Sequence, residues 1–169
     1  MYHEILTISA AFKPLNLLDV NYFSAWTAYE MQWPAGTTIS IEKLQNAFLE
    51  NHKNILMSYK KYQFKGYKGE WLEFDQTTYD NGLLPPFNDQ EDLSHGEKCP
   101  QHAEHAQALL NLFYKIVNEA LDGKPTQFYF YDSDLGRELC TEVDGGFCML
   151  LINENSCKAI LVFADSVAG

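Results

Sequence analysis

Arginine is almost absent from this sequence: Arg137 is the only one among twelve lysines and arginines. Guanidinium groups make the bidentate contacts by which proteins usually read bases and phosphates. We therefore expect no nucleic-acid partner. The sequence also lacks any run of the roughly 18 apolar residues that a membrane span needs, so we expect no membrane association. Glu4 lies where a signal peptide would be basic, and Lys13 interrupts the apolar stretch, which predicts an unprocessed cytoplasmic protein.

The four cysteines form no Cys-x-x-Cys pair: Cys99, Cys140, Cys148 and Cys157. Three of them lie on or beside apolar runs typical of strands. We interpret them as small buried thiols of a protein from a reducing compartment.

Motifs of catalysis and phosphate binding are missing as well. The sequence has no G-x-S-x-G, no G-x-x-x-x-G-K-[ST] and no G-x-G-x-x-G. The segment Asp132–Glu138 is too short for an EF-hand calcium loop. Cys148 lies in an apolar run, where desolvation disfavours a reactive thiolate. We therefore expect neither enzymatic activity nor a cofactor.

Hydrophobic residues are plentiful, at 46% of the 169 residues, with 14% aromatic residues. This length and composition predict a single domain, residues 1–169, with a substantial core. Apolar periodicity and capping residues predict three helices, at Asn21–Trp33, Thr37–Gln63 and Pro100–Gly123. Thr38 or Ser40 is the expected cap of the second helix.

The last 45 residues contain four short apolar or alternating runs: Gln127–Asp132, Arg137–Val143, Phe147–Asn153 and Lys158–Asp165. Asp144-Gly145-Gly146 is a strong signal for a tight hairpin. We predict an α+β fold in which N-terminal and central helices pack on one face of a four-strand antiparallel meander. The helical region would span about residues 19–122, with a long loop at about 80–99, and the sheet about 126–165. Phe147–Ile152 would be central and buried on both faces, and a further short strand would lie within Gly69–Gln76.

One cluster of potential metal ligands precedes the third helix. Cys99, His102 and His105 are three residues apart, and His95 is close in sequence. Zinc accepts such nitrogen and sulfur ligands. The spacing matches no zinc family that we can identify, so an ordinary loop and helix start is the favoured interpretation. A small metal- or ligand-binding enzyme using this cluster remains an alternative.

In the absence of a catalytic or phosphate-binding motif, the distribution of charge is the most informative property for function. The net charge is −11, yet residues 43–68 carry six lysines against one acid, Glu50. Such an acidic balance favours solubility, and it also suits a basic protein partner. The candidate partner-binding residues are the acids near the expected sheet and long loop, with two aromatic anchors: Asp132, Asp134, Glu138, Glu142, Asp144, Asp89, Glu91, Asp92, Tyr129 and Tyr131.

The acidic segment QFYFYDSDLGRELCTEVDGG and the loop NDQEDLSHGE give the chain a general resemblance to immunity proteins of bacterial contact-dependent growth inhibition and related toxin systems. The resemblance implies a tight one-to-one complex that blocks the active site of a cognate toxin, often a basic nuclease. An acidic mimic of nucleic acid, of the anti-restriction or anti-CRISPR type, is the other class to consider. The lysine-rich segment argues mildly against such a mimic.

Overall fold

The structure of the chain is a computed structural model. It describes residues 4–7, 25–56, 70–81, 91–92, 97–98, 100–132 and 146–165. Within these ranges helices pack on an antiparallel sheet, so the predicted α+β class is confirmed.

The main sheet has six strands within the described ranges, in the order β1-β2-β8-β7-β6-β3, and every neighbouring pair is antiparallel. The strands are β1 (Glu4–Thr7), β2 (Ala25–Gln32), β3 (Glu70–Phe74), β6 (Gln127–Asp132), β7 (Gly146–Asn153) and β8 (Lys158–Asp165). β4 (Glu91–Asp92) and β5 (Glu97–Lys98) form a separate two-stranded ladder. The helices are α1 (Ile41–Leu56), α2 (Gln76–Asp80) and α3 (Pro100–Ala120).

The prediction of a helix over Asn21–Trp33 is wrong for its described part, because Ala25–Gln32 is strand β2. Tyr29, Met31 and Trp33 alternate along the chain and bury their side chains in one core cluster, while Ala28 is buried in the other. This spacing of two is the period of a strand. Pairing along the whole length of β8 overrides the weaker helical pattern.

The prediction of a four-strand meander is also wrong. β6 pairs directly with β7, and its other neighbour is β3, so no strand lies between β6 and β7. Arg137–Val143, the expected intervening strand, lies outside the described residues, as do Asp144 and Gly145 of the expected hairpin turn. The turn Glu154–Cys157 connects β7 to β8 as predicted.

Helices cover both faces of the sheet, contrary to the predicted one-sided packing. On one face, Leu44, Phe48 and Leu49 of α1 join the side chains of alternate strand positions. On the other face, α3 contributes Phe113 and Val117 to a second cluster. The side chains of residues 148–152 in β7 are all buried, as predicted for the central strand. A strand buried on both faces requires cover on both faces, and the sequence signal already implied this.

Side-chain hydrogen bonds fix the ends of the helices. The Ser40 hydroxyl accepts the Lys43 amide at 3.1 Å, so Ser40 is the cap of α1. Asp75 caps α2 by accepting the Thr78 amide at 2.8 Å. Two side chains of the β7–β8 region, Asn153 and Ser156, donate to the Leu121 carbonyl at 2.9 and 2.6 Å. These bonds attach the end of α3 to the sheet.

The long loop expected at about 80–99 contains more regular structure than its composition predicts. Residue 80 still belongs to α2, and β4 and β5 pair within the expected loop, with Glu91 opposite Lys98 and Asp92 opposite Glu97. None of the helices in the described ranges combines the length and the apolar character needed to cross a membrane.

Candidate functional site

The two predicted aromatic anchors lie on β6 with their rings on the α1 side of the sheet. Tyr131 is only 7% exposed and makes an edge-to-face contact with Trp71 of β3, with ring centroids 5.4 Å apart. Its ring is therefore part of the core. Tyr129 is only partly buried, which leaves it as the aromatic residue of this pair that a partner can reach.

Tyr129 lies close to two carboxylates. The β3–β6 register places Glu73 directly opposite it, and Glu154 approaches from the β7–β8 turn. Both glutamates are exposed. Partial burial raises the pKa of the Tyr129 phenol, and the negative charges of Glu73 and Glu154 raise it further. The phenol therefore stays protonated and offers a hydrogen-bond donor and an apolar ring between two negative charges.

Glu154 is held in place by its neighbours. The side-chain amide of Gln127 donates to the Glu154 carboxylate, and the Glu154 backbone amide donates to the Thr126 hydroxyl at 3.2 Å. The Thr126 amide in turn donates to the Ile152 carbonyl at 2.7 Å. These bonds connect the turn to the start of β6, so the carboxylate is oriented before any partner arrives.

A further pair of acids lies at the other end of the two strands. The register places Glu70, the first residue of β3, opposite Asp132, the last residue of β6. Glu70 is exposed. β3 is at one end of the strand order, so it is an edge strand of the sheet as described. Glu70 is three positions from Glu73 on the same strand, so it faces the other side of the sheet. We call the surface formed by Glu73, Tyr129 and Glu154 the acidic edge.

The remaining predicted acids are only partly located. Glu91 and Asp92 form the short strand β4, away from the main sheet in the pairing scheme. Asp89, Asp134, Glu138, Glu142 and Asp144 lie outside the described residues. The structure therefore places Tyr129, Tyr131 and Asp132 of the predicted set on β6, and the sheet-to-loop acidic surface stays a prediction.

Sequence reasoning missed Glu73 and Glu154. The alternation in GEWLEFDQ does place Trp71 and Glu73 on one face of a strand. What the sequence does not give is the pairing of that strand with β6, because 52 residues lie between the end of β3 and the start of β6. Glu154 lies in the turn after β7, and its approach to Tyr129 depends on the pairing of β6 with β7.

The predicted metal cluster cannot be assembled from the described residues. Cys99 and His95 lie outside them, and His102 and His105 are placed only as backbone positions in the first two turns of α3. Elsewhere in the described part of the chain, no group of three histidine, cysteine or acidic side chains is arranged to hold a metal ion. The metal site therefore stays an alternative, and the ordinary loop and helix start stays the favoured interpretation.

Cys148, the one cysteine considered as a nucleophile, is 2% exposed in the α1-side core. Burial raises the pKa of its thiol well above the ordinary value of 9.0. Its placement agrees with the interpretation of a core cysteine, since a buried thiol with a raised pKa is a poor nucleophile at neutral pH.

Comparison with known proteins does not assign the chain: no protein-family model matches it, and no curated protein sequence matches it significantly.

Proposed function

We propose that this chain is an inhibitor that binds a basic protein partner and occludes it without catalysis. In the most specific form of the proposal, it is an immunity protein that neutralises a cognate bacterial toxin. The observation that carries the proposal is the acidic edge, where the partly exposed ring of Tyr129 lies between Glu73 and Glu154.

The chemistry of the acidic edge suits a basic surface. Aromatic rings supply much of the binding energy of protein interfaces, and flanking charges of one sign steer an oppositely charged partner into register. The ion pairs found among the described side chains join Lys158 to Glu30 and to Asp122, at 3.5 and 3.0 Å. Among the described side chains, no lysine or arginine bridges Glu73 or Glu154, and the hydrogen bond that the Glu154 carboxylate accepts from Gln127 leaves its negative charge in place.

The overall charge also supports the proposal of a basic protein partner. A net charge of −11 creates a long-range field that accelerates encounter with a basic protein. The acidic edge would then select the docking orientation, because like-charged partners are repelled from it.

Site-specific photocrosslinking tests the proposal. A photoreactive phenylalanine analogue placed at Glu73 should crosslink one basic protein in cells of the source organism. The same analogue at Lys115, an exposed residue of α3 on the opposite side of the sheet, is the matched control. Crosslinks of equal pattern at both positions, or none at position 73, would count against the acidic edge.

Association kinetics with the captured partner give the quantitative test. The double variant Glu73→Gln/Glu154→Gln should slow association by about tenfold at low salt and flatten its salt dependence, because steering depends on these charges. Tyr129→Ala should mainly speed dissociation, by a factor that corresponds to about 2 kcal/mol or more for an interface hot spot. Association that is unchanged in the folded double variant would contradict the proposal.

A further inference from the structure

A cavity of about 420 Å³ opens on the α1 side of the sheet, beside the acidic edge. It lies between the segment that follows β2, the first turn of α1 and the β7–β8 turn. Its volume falls within the range of about 300–1,000 Å³ that is usual for ligand pockets. Glu154 lines this cavity and also lies close to Tyr129, so the cavity and the acidic edge form one continuous surface.

The walls of the cavity are held open by the backbone. The Trp33 amide donates to the Cys157 carbonyl at 3.1 Å, and the Thr37 amide donates to the Pro34 carbonyl at 3.1 Å. Gly36, which lines the cavity, has a positive φ of 82° that favours glycine, and no atom of the described residues lies within 4 Å of the position its Cβ would take. The turn therefore leaves this part of the cavity open.

The lining mixes polar and apolar surface and carries one carboxylate. Ile39 and Ile41 are its partly exposed apolar side chains, Trp33, Leu44 and Ile152 are buried behind them, and Thr37 and Thr38 add polar surface. Glu154 is the only acid among the described lining residues, and no lysine or arginine is among them. The positive end of α1 is nearby, but Ser40 caps it and Glu42 lies in its first turn. The carboxylate therefore dominates the charge at the cavity.

We propose that this cavity receives one long cationic side chain, a lysine or an arginine, of the basic partner. The methylene groups would pack against Ile39 and Ile41, and the charged end would meet Glu154. Long basic side chains combine an apolar stem with a charged head, which is the same combination that the cavity offers. The inference rests on the proposed function, and it specifies the kind of anchor residue that the partner supplies.

An NMR titration of the free protein tests the inference without the partner. The probe is N-acetylarginine methylamide, and the neutral control is N-acetylnorleucine methylamide, which has an apolar stem and no charge. We expect saturable shifts in the millimolar range at the amides of residues 33–41 and 152–157. The control should bind about fivefold more weakly, since an ion pair with an exposed carboxylate contributes up to roughly this much.

Two variants and one control variant localise the binding. Glu154→Gln should weaken the arginine probe to the level of the norleucine control. Thr38→Trp should abolish binding by filling the cavity from its exposed rim. Asn46→Trp, at an exposed position of α1 that does not line the cavity, should leave binding unchanged. Equal binding of the two probes, or shifts that are not reduced by either variant, would overturn the inference.

The complex with the partner separates this inference from the proposed function. If both hold, Thr38→Trp and Tyr129→Ala each weaken the complex by at least about tenfold, as expected for interface anchors. If Tyr129→Ala weakens it and Thr38→Trp does not, the cavity inference fails and the acidic edge remains. If neither variant changes the affinity, the proposed docking surface itself is wrong.

Discussion

At the scale of single residues, Tyr129 shows how burial and charge act together. Its phenol is partly desolvated and faces two carboxylates, and both effects disfavour the phenolate. The proposed function uses this combination, because the two negative charges and the face of the neutral ring both attract a cationic partner. The arrangement can be measured in the free protein, before any partner is known.

Removing the charge opposite Tyr129 should lower the pKa of its phenol. We expect Glu73→Gln to shift the titration of Tyr129 to lower pH, because one of the two charges that disfavour the phenolate is lost. Carbon NMR of labelled tyrosine follows the titration, and Tyr129→Phe identifies the resonance among the ten tyrosines.

Glu119→Gln is the control for this titration, since Glu119 is an exposed acid of α3 and does not contribute to the shift at Tyr129. Burial is the larger cause of the raised pKa of Tyr129, so Glu73→Gln should retain part of the shift. A Tyr129 pKa that is identical in Glu73→Gln and in the unmodified protein would mean that the two side chains are not neighbours in solution.

Much of the candidate site depends on contacts that local sequence patterns do not specify. The alternation around Tyr129 and around Glu73 was visible, so each strand was predictable by itself. Their pairing was not, because the register of distant strands is set by the whole core. The acids between residues 133 and 145 were the more conspicuous signal, and they drew the prediction away from Glu73 and Glu154.

At the scale of elements, the sheet is enclosed between two helices of different sequence character. α1 and α3 each present a buried phenylalanine, Phe48 and Phe113, to opposite faces. Both helices were predictable from their period of 3.6 residues and their caps. The distribution of the helices over two faces was not, although five consecutive buried residues in β7 point to it.

Truncating either phenylalanine should destabilise the protein to a similar degree. We expect Phe48→Ala and Phe113→Ala each to lower the free energy of unfolding by about 3–5 kcal/mol, because both rings are fully buried. Urea unfolding followed by circular dichroism measures the change.

Asn46→Ala and Lys115→Ala are matched controls on the same two helices, and as exposed positions they should change stability by less than about 0.5 kcal/mol. If one phenylalanine behaved like its exposed control, the helix that carries it would not cover the sheet as described. The one-sided packing predicted from the sequence would then describe the protein better.

Strand β2 illustrates how tertiary pairing decides between two periods. The aromatic residues of Asn21–Trp33 fit a helical stripe loosely, and Pro34 marks a plausible end. Tyr29, Met31 and Trp33 also fit a period of two, and these residues lie in the α1-side core beside β8. A short apolar run by itself fits either a helix or a strand, and pairing with the neighbouring strand β8 decides for the strand.

At the scale of the whole molecule, the net charge of −11 should affect folding and binding in opposite directions. Repulsion among the acids opposes the compact state, while their field accelerates encounter with a basic partner. Salt weakens both effects, because the screening length falls from about 10 Å at 0.1 M to about 3 Å at 1 M. Added sodium chloride should therefore raise the free energy of unfolding and slow association.

Both measurements can be made on the same preparations. Urea unfolding gives the free energy of unfolding. Stopped-flow mixing with the partner that crosslinking has identified gives the association rate. The double variant Glu73→Gln/Glu154→Gln has two fewer negative charges, so its association should depend less on salt. Its stability should show nearly the same salt response as the unmodified protein, since most of the charge remains. An association rate that rises with salt would mean that the field of this molecule repels its partner, and the proposal of a basic partner would have to be abandoned.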